Sequence, residues 1–202
     1  MTTATGGRLH ADARSVLTAW RPDRLPASTA QGTPQAQAQD PVQEALRRDY
    51  LDFLDRHPDA MWRDCTYGHV TASALVLNGT SSHVLLTLHP KVGRWLQVGG
   101  HCERADESLS AAALREAAEE TGIGGLTLSL APARLDRHTV RCGPGAEVDH
   151  LDVQFVAWAP EGAREQMSSE SLDLRWWPVD RLPEPLDPSV AALVEQGVSL
   201  RC

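Results

Sequence analysis

The stretch Leu109 to Gly122 constrains this chain most, because it places three glutamates on a helix made otherwise of small apolar residues. Leu109, Ala111, Ala112, Ala113, Leu114, Ala117 and Ala118 leave it almost no polar side. A helix apolar nearly all round is expected between layers rather than on a surface. At about 100° per residue, Glu119 falls about 60° to one side of Glu116 and Glu120 about 40° to the other. Three carboxylates therefore crowd one arc and oppose one another by roughly 0.2–0.5 kcal/mol per pair. Beside packed surface they need partners. A hard divalent cation with oxygen ligands is one. Arg115, four residues before Glu119, is another, through charge-assisted hydrogen bonds. The competing reading is a solvated acidic face, which suits a Glu-rich helix without this apolar surround.

The flanking residues complete a cradle. Gly99-Gly100 follows a short strand, Trp95 to Val98, and lets backbone approach the acids with a carbonyl free to face a cation. Ser108 is placed to cap the helix and Gly122 to stop it. Upstream, apolar runs from His69 to Leu77 and from His83 to Leu88 flank Asn78-Gly79, a hairpin signal. Downstream strands are expected near 126–130, 135–141, 148–158 and 172–177, with a closing helix at 188–195. Strands interleaved with a few helices indicate an α/β class with a mixed sheet.

The amino-terminal third reads differently. Asp40-Pro41 is a helix start, and Leu46, Tyr50, Phe53 and Leu54 at helical spacing give that helix a face to pack on the domain or on a second subunit. His57-Pro58 ends it. Before it, a short helical pattern at 11–20 and a linker carrying Pro22, Pro26, Pro34 and a Gln/Ala stretch read as peripheral. The expected division is 1–39 peripheral, 40–66 the added helix, and 67–202 the main domain.

A formal net charge of −8 excludes a general nucleic-acid binder, since neutralising a phosphate polymer takes a Lys/Arg surface. No apolar run suits a membrane span, and the first ten residues lack the apolar stretch of a signal peptide, so a cytoplasmic location is expected. Cys65, Cys102, Cys142 and Cys202 are scattered and read as reduced thiols. His101, Cys102, Cys142 and His150 show no zinc-ligand spacing.

Arg115 to Ile123, Arg-Glu-Ala-Ala-Glu-Glu-Thr-Gly-Ile, resembles the second half of the Nudix box at every fixed position, and seven residues separate Glu107 from Arg115 as the box requires. Six residues, His101 to Asp106, separate Gly100 from Glu107 where the box has five, an extra residue assigned to a loop. Val98 replaces the proline often found before the glycine pair. The resemblance implies a Nudix-type α/β/α sandwich with a mixed β-sheet and a catalytic loop-helix-loop. It implies a Mg²⁺-dependent hydrolase, with Mn²⁺ as substitute, cleaving the diphosphate linkage of a small nucleotide-like substrate. The ligands it implies are Glu116, Glu119, Glu120 and the Gly100 carbonyl, with Arg115 assisting. Glu170, six residues before Trp176, is the expected fourth acid, as ligand or general base, with Glu147, Asp149 and Asp152 in reserve.

Lys91, Arg94 and His101 flank the glycine turn as expected phosphate contacts. His150 and Asp152 share a strand face and could line the substrate pocket. His138 stands where ADP-ribose members of the family carry a proline, and Thr139 and Val140 where dinucleoside polyphosphate members carry a tyrosine, so substrate is left open. Two other readings stand beside hydrolysis: a Nudix-fold ligand-binding module, and an isoprenoid diphosphate isomerase-like enzyme using Cys102. A homodimer is a further expectation.

Overall fold

Among residues 5–22, 40–142 and 146–200, which the computed structural model describes, four helices surround one eight-stranded sheet. In chain order these are α1 (Thr5–Ala19), α2 (Pro41–Arg56), β1 (His69–Leu77), β2 (His83–Leu88), β3 (Trp95–Leu96), β4 (Val98–His101), α3 (Leu109–Thr121), β5 (Thr127–Leu128), β6 (Arg134–Cys142), β7 (Ala146–Trp158), β8 (Asp173–Pro178) and α4 (Pro188–Ser199). The β1–β7 pair is parallel and the remaining pairs are antiparallel, so the sheet is mixed as expected. The linker expected up to Asp40 lies outside the described residues. None of the described helices is long and apolar enough to cross a membrane.

The sheet forks. Along one edge β1 pairs with β7 throughout, from His69↔His150 to Leu77↔Trp158. Along its other edge it meets β2 only at Val76 and Leu77, and pairs with β4 through residues 71–74. The diverging β2 pairs instead with β3, at Thr87 and Leu88. The stretch Trp95 to His101, interrupted only at Gln97, therefore fills the fork between β1 and β2.

Because strand side chains alternate between faces, the two faces of β1 and β7 acquire different covers. Ala72, Ala74 and Val76 with Leu151, Val153 and Ala157 form cores with Leu109, Ala112, Ala113 and Ala117 of α3. Leu75, Leu77 and Val156 instead meet Val190, Leu193 and Val194 of α4. The face under α4 is apolar at that end alone. At the other end the same face carries His69, Thr71, Ser73, His150, Asp152 and Gln154.

The helix α1 corrects the expectation that everything before residue 40 is peripheral. Leu9, Ala13 and Leu17 recur at four-residue spacing and are fully buried in the same core as α3, with Trp20 beside them. Burying each of the two leucines is worth about 1.5–3 kcal/mol relative to exposure. Asp12 Oδ2 also accepts a 2.8 Å hydrogen bond from the Leu109 amide at the start of α3, satisfying one of the free N–H groups of that helix end. Reading the helix from Ala11 left out Leu9, the first residue of its buried stripe.

α2 packs on the sheet of its own chain. Asp40 caps it through the amides of Val42 and Gln43. The buried Gln43 side chain donates to the Leu135 carbonyl at 3.0 Å and accepts from the Leu135 amide at 2.7 Å. Tyr50 Oη donates to the Asp136 carbonyl at 2.6 Å.

Candidate active site

The acids of α3 occupy three different environments. Ser108 Oγ caps the helix through the Ala111 amide, and Gly122 ends it at φ 67°, a left-handed turn that glycine makes without strain. The buried residues Leu109, Ala112, Ala113, Ala117 and Thr121 define one face, while Leu114 is exposed. The helix is thus one-sided, not apolar all round as its composition suggests, because alanine is indifferent to which side it takes. Glu116 and Glu120 project within the arc of these buried residues, whereas the Glu119 side chain is 61% exposed against 14% for Glu116.

The glycine pair brings backbone against these carboxylates. A Cβ on Gly100 would stand 2.9 Å from the Glu116 carboxylate, and one on Gly99 would overlap Ser73 of β1 at 2.3 Å. No larger residue fits at Gly99, where backbone and a Cβ stand in the way, while at Gly100 the Glu116 carboxylate would have to move aside. The Gly99 amide donates to Glu120 Oε1 at 2.9 Å. Burial nevertheless raises Glu120 to about 7, with the charges of Glu116 and Glu170 adding to the rise. Burial also raises Glu116, and Glu119 and Glu170 push in the same direction. Glu170 is exposed on the loop before β8, yet its field reaches both half-buried acids. This loop lies against the end of α3 through the Gln166 amide, bonded to the Thr121 carbonyl at 2.7 Å.

Arg115 is the cation among them. Its Nε and Nη2 bond bidentately to Asp106 at 3.0 and 2.9 Å. Nη1 reaches Glu116 at 3.0 Å and Glu119 at 3.1 Å, and Nη2 also donates to the His101 carbonyl. The Asp106 bond is the largest of the causes raising the Arg115 pKa. Burial is the largest influence on Asp106 and would raise it, but the Arg115 bond, the Glu103 amide and the Arg115 charge together outweigh burial, and the carboxyl ends below its usual range.

Asp106 was missed in sequence. Five residues, His101 to Ala105, separate Gly100 from Asp106, so the extra residue of the loop falls after the acid rather than before it. Glu107 faces elsewhere, with its side chain 80% exposed and 3.6 Å from Arg8. The signal was present in the spacing from the glycine side; the spacing from the arginine side obscured it.

A surplus of carboxylate beside a backbone cradle is what a hard divalent cation requires. One fixed cation, Arg115, faces Asp106, Glu116 and Glu119, while burial, with neighbouring acids adding, raises Glu116 and Glu120. The donor set therefore fits magnesium.

The other candidates are spread more widely. Lys91 sits on an exposed turn, and its charge reaches His89 and His101. Arg94 is tied instead to the Leu186 carbonyl at 3.1 Å. His101 faces His69 and His150 at ring-centroid distances of 5.0 Å each. Asp152 is fully buried and accepts bonds from Thr71, Ser73, Gln97 and Gln154. Asp149 pairs with Arg137 at 2.6 Å. Cys102, mostly buried, has its thiol pushed up to about 12 by burial.

Comparison with known proteins agrees with this geometry. The family model of the NUDIX domain matches residues 68–196. The chain belongs to the Nudix family of hydrolases. Its fold is similar to a NUDIX-family hydrolase from Clostridium perfringens, at 23% identity and TM-score 0.51, covering 66% of this chain and 96% of that one. It is also similar to the Escherichia coli dihydroneopterin triphosphate pyrophosphohydrolase, at 21% identity and TM-score 0.52, covering 64% and 94%. A third similar structure is the NUDIX domain of Shewanella oneidensis NrtR complexed with ADP ribose, at 22% identity and TM-score 0.50, covering 72% and 94%. No curated protein matches the chain.

Proposed function

We propose that this protein hydrolyses the diphosphate linkage of a nucleoside diphosphate derivative or a nucleoside triphosphate by attack of water on phosphorus, with Mg²⁺ or Mn²⁺ at the acids of α3. The reading is carried by the half-buried pair Glu116 and Glu120, seated on Gly99-Gly100, with Glu116 paired to Arg115 and Glu120 bonded to the Gly99 amide. Glu116, Glu119, Glu120 and the Gly100 carbonyl would hold the ion, with Glu170 reaching it from its loop. Such an ion supplies neutralisation of the leaving phosphate and a bound water of lowered pKa. Arg115 orients Glu116 and Glu119 and is itself fixed by Asp106. Glu170, the exposed acid whose field meets Glu116 and Glu120, is the carboxylate proposed to take the proton from water. Lys91 is the proposed phosphate contact; Arg94 would have to leave Leu186 to join it, and His101 turns instead toward His69 and His150.

The free thiols of Cys65 and Cys102 suit the cytoplasmic location proposed here. The isomerase-like alternative asks Cys102 to exchange protons, which a buried thiol near 12 opposes. The test is a panel of nucleoside triphosphates, sugar- and ribose-linked diphosphates, dinucleotides, pterin triphosphates and prenyl diphosphates with Mg²⁺. Labelled water oxygen should appear in a phosphate product, and chelation should abolish release. Tight binding without turnover throughout would convert the reading to a ligand-binding module, and sizing the same sample reports whether the proposed homodimer forms.

A further inference from the structure

We propose that His69, His101 and His150 form a second metal site, for a borderline divalent transition ion of the zinc class, on the sheet face opposite α3. The three come from adjacent strands, β1, β4 and β7. His69 lies directly opposite His150, and His101 opposite Thr71, two residues further along β1. Gly100 and His101 are neighbours on β4, so alternation sends one toward Glu116 and the other away from it.

One ligand atom from each ring lies within 4.8 Å of the others. Three nitrogens on zinc at about 2.0–2.1 Å stand roughly 3.3 Å apart in a tetrahedral set, which modest ring rotations would reach. Four of the six ring nitrogens lack a hydrogen-bond partner. Among the described residues seven buried side-chain atoms lack a hydrogen-bond partner, and four belong to this group: both of His69, and Nε2 of His101 and His150. Buried polar groups are normally satisfied, so a cluster of orphans on three converging rings points to a missing partner.

The chemistry selects the ion. Imidazole nitrogens suit zinc, copper or nickel, whereas magnesium and calcium take oxygen. The nearby charges include cations, Arg63 near all three rings and Lys91 near His101, a poor setting for a hard ion that needs anionic ligands. The supports of a histidine site are present too. The Cys65 backbone faces His69 without forming a well-aligned bond, and His138, bonded through Nδ1 to Asp136 at 2.8 Å, stands 5.4 Å from the His150 ring. Three histidines leave a fourth position for water or an anionic oxygen.

The test uses the full chain, stripped with chelator and titrated with Zn²⁺ in excess Mg²⁺, so that the acids of α3 do not compete. One equivalent of Zn²⁺ should bind, and His150→Gln and His69→Gln should each weaken it by about 10–100-fold or more. Glu120→Gln should keep the equivalent, which separates this proposal from the hydrolase reading. Co²⁺ in the wild type should give intense visible bands of a four- or five-coordinate nitrogen site, deciding the matter even where a histidine variant fails to fold. Weak six-coordinate bands, no binding, or zinc retained in folded His150→Gln, for instance at His57, Asp59 and Cys65, would overturn it.

Discussion

The two faces of the sheet solve the problem of buried polar groups in opposite ways. On the α3 face, apolar side chains run the length of β1 and β7 under α1, α2 and α3, and the acids at the margin have hydrogen-bond partners but too little positive charge. On the other face α4 covers one end, and the other end has three rings with four buried nitrogens that lack partners. One face holds a surplus of charge, the other a surplus of lone pairs. A charge surplus is visible to pH and to hard cations. A lone-pair surplus is visible to softer metals, and the same strands present both.

If α1 is truly part of the cover on the acid face, Leu17→Ala should cost about 2–5 kcal/mol in urea unfolding, as for other fully buried leucines. A loss well below 1 kcal/mol would return α1 to the periphery and break the contrast in coverage.

The charge surplus should show in the metal-free protein. Burial raises folded Glu120 to about 7 from 4.5, so the fold holds that proton more tightly than the unfolded chain does. This contribution is fully present below about pH 4.5 and is lost as pH rises through about 7, an effect of about 3 kcal/mol. The stability of wild type relative to Glu120→Gln should therefore fall across that window in chelator, and Mg²⁺ affinity should rise. A flat difference curve would mean the acid is already compensated.

Turnover should divide the acids by environment. Glu120→Gln should lower it on the order of 100-fold, at least the loss typical of disturbed metal-site partners. The exposed Glu119→Gln should lose less, and equal losses would show that burial does not rank these residues. The smallest effect expected is Asp12→Ala, about 1 kcal/mol, the usual worth of a helix N-terminal cap. Its value sharpens the comparison by measuring how firmly α1 is joined to the acid-bearing helix.

Much of the α3 face was legible in sequence because its signals are local. The helix bounds at Leu109 and Thr121, the Ser108 cap and the Gly122 stop follow from spacing within one turn. So do the nine-residue β1 and the six-residue β2, bounded by polar turns. What was not legible depends on separation in the chain. His69, His101 and His150 have no ligand spacing because strand pairing, not a local motif, assembles them. Asp106 was obscured by an inserted residue whose side of the acid only the Arg115 bond reveals. Arg94 was expected at the phosphates by its proximity in sequence to the glycine pair, and the fold ties it to the Leu186 carbonyl.

The fork in the sheet bears on how such a chain can diversify. Trp95 to His101 is held at one end by β2 and at the other by β1, so a residue gained or lost there would have to be absorbed by two strands at once. The loop from Cys102 to Glu107 belongs to no strand, and it has already accommodated an extra residue while Asp106 kept its grip on Arg115. Evolution therefore has free length on one side of the glycine pair and almost none on the other. A protein engineer seeking a new substrate preference should lengthen or recompose the loop and leave the wedge alone.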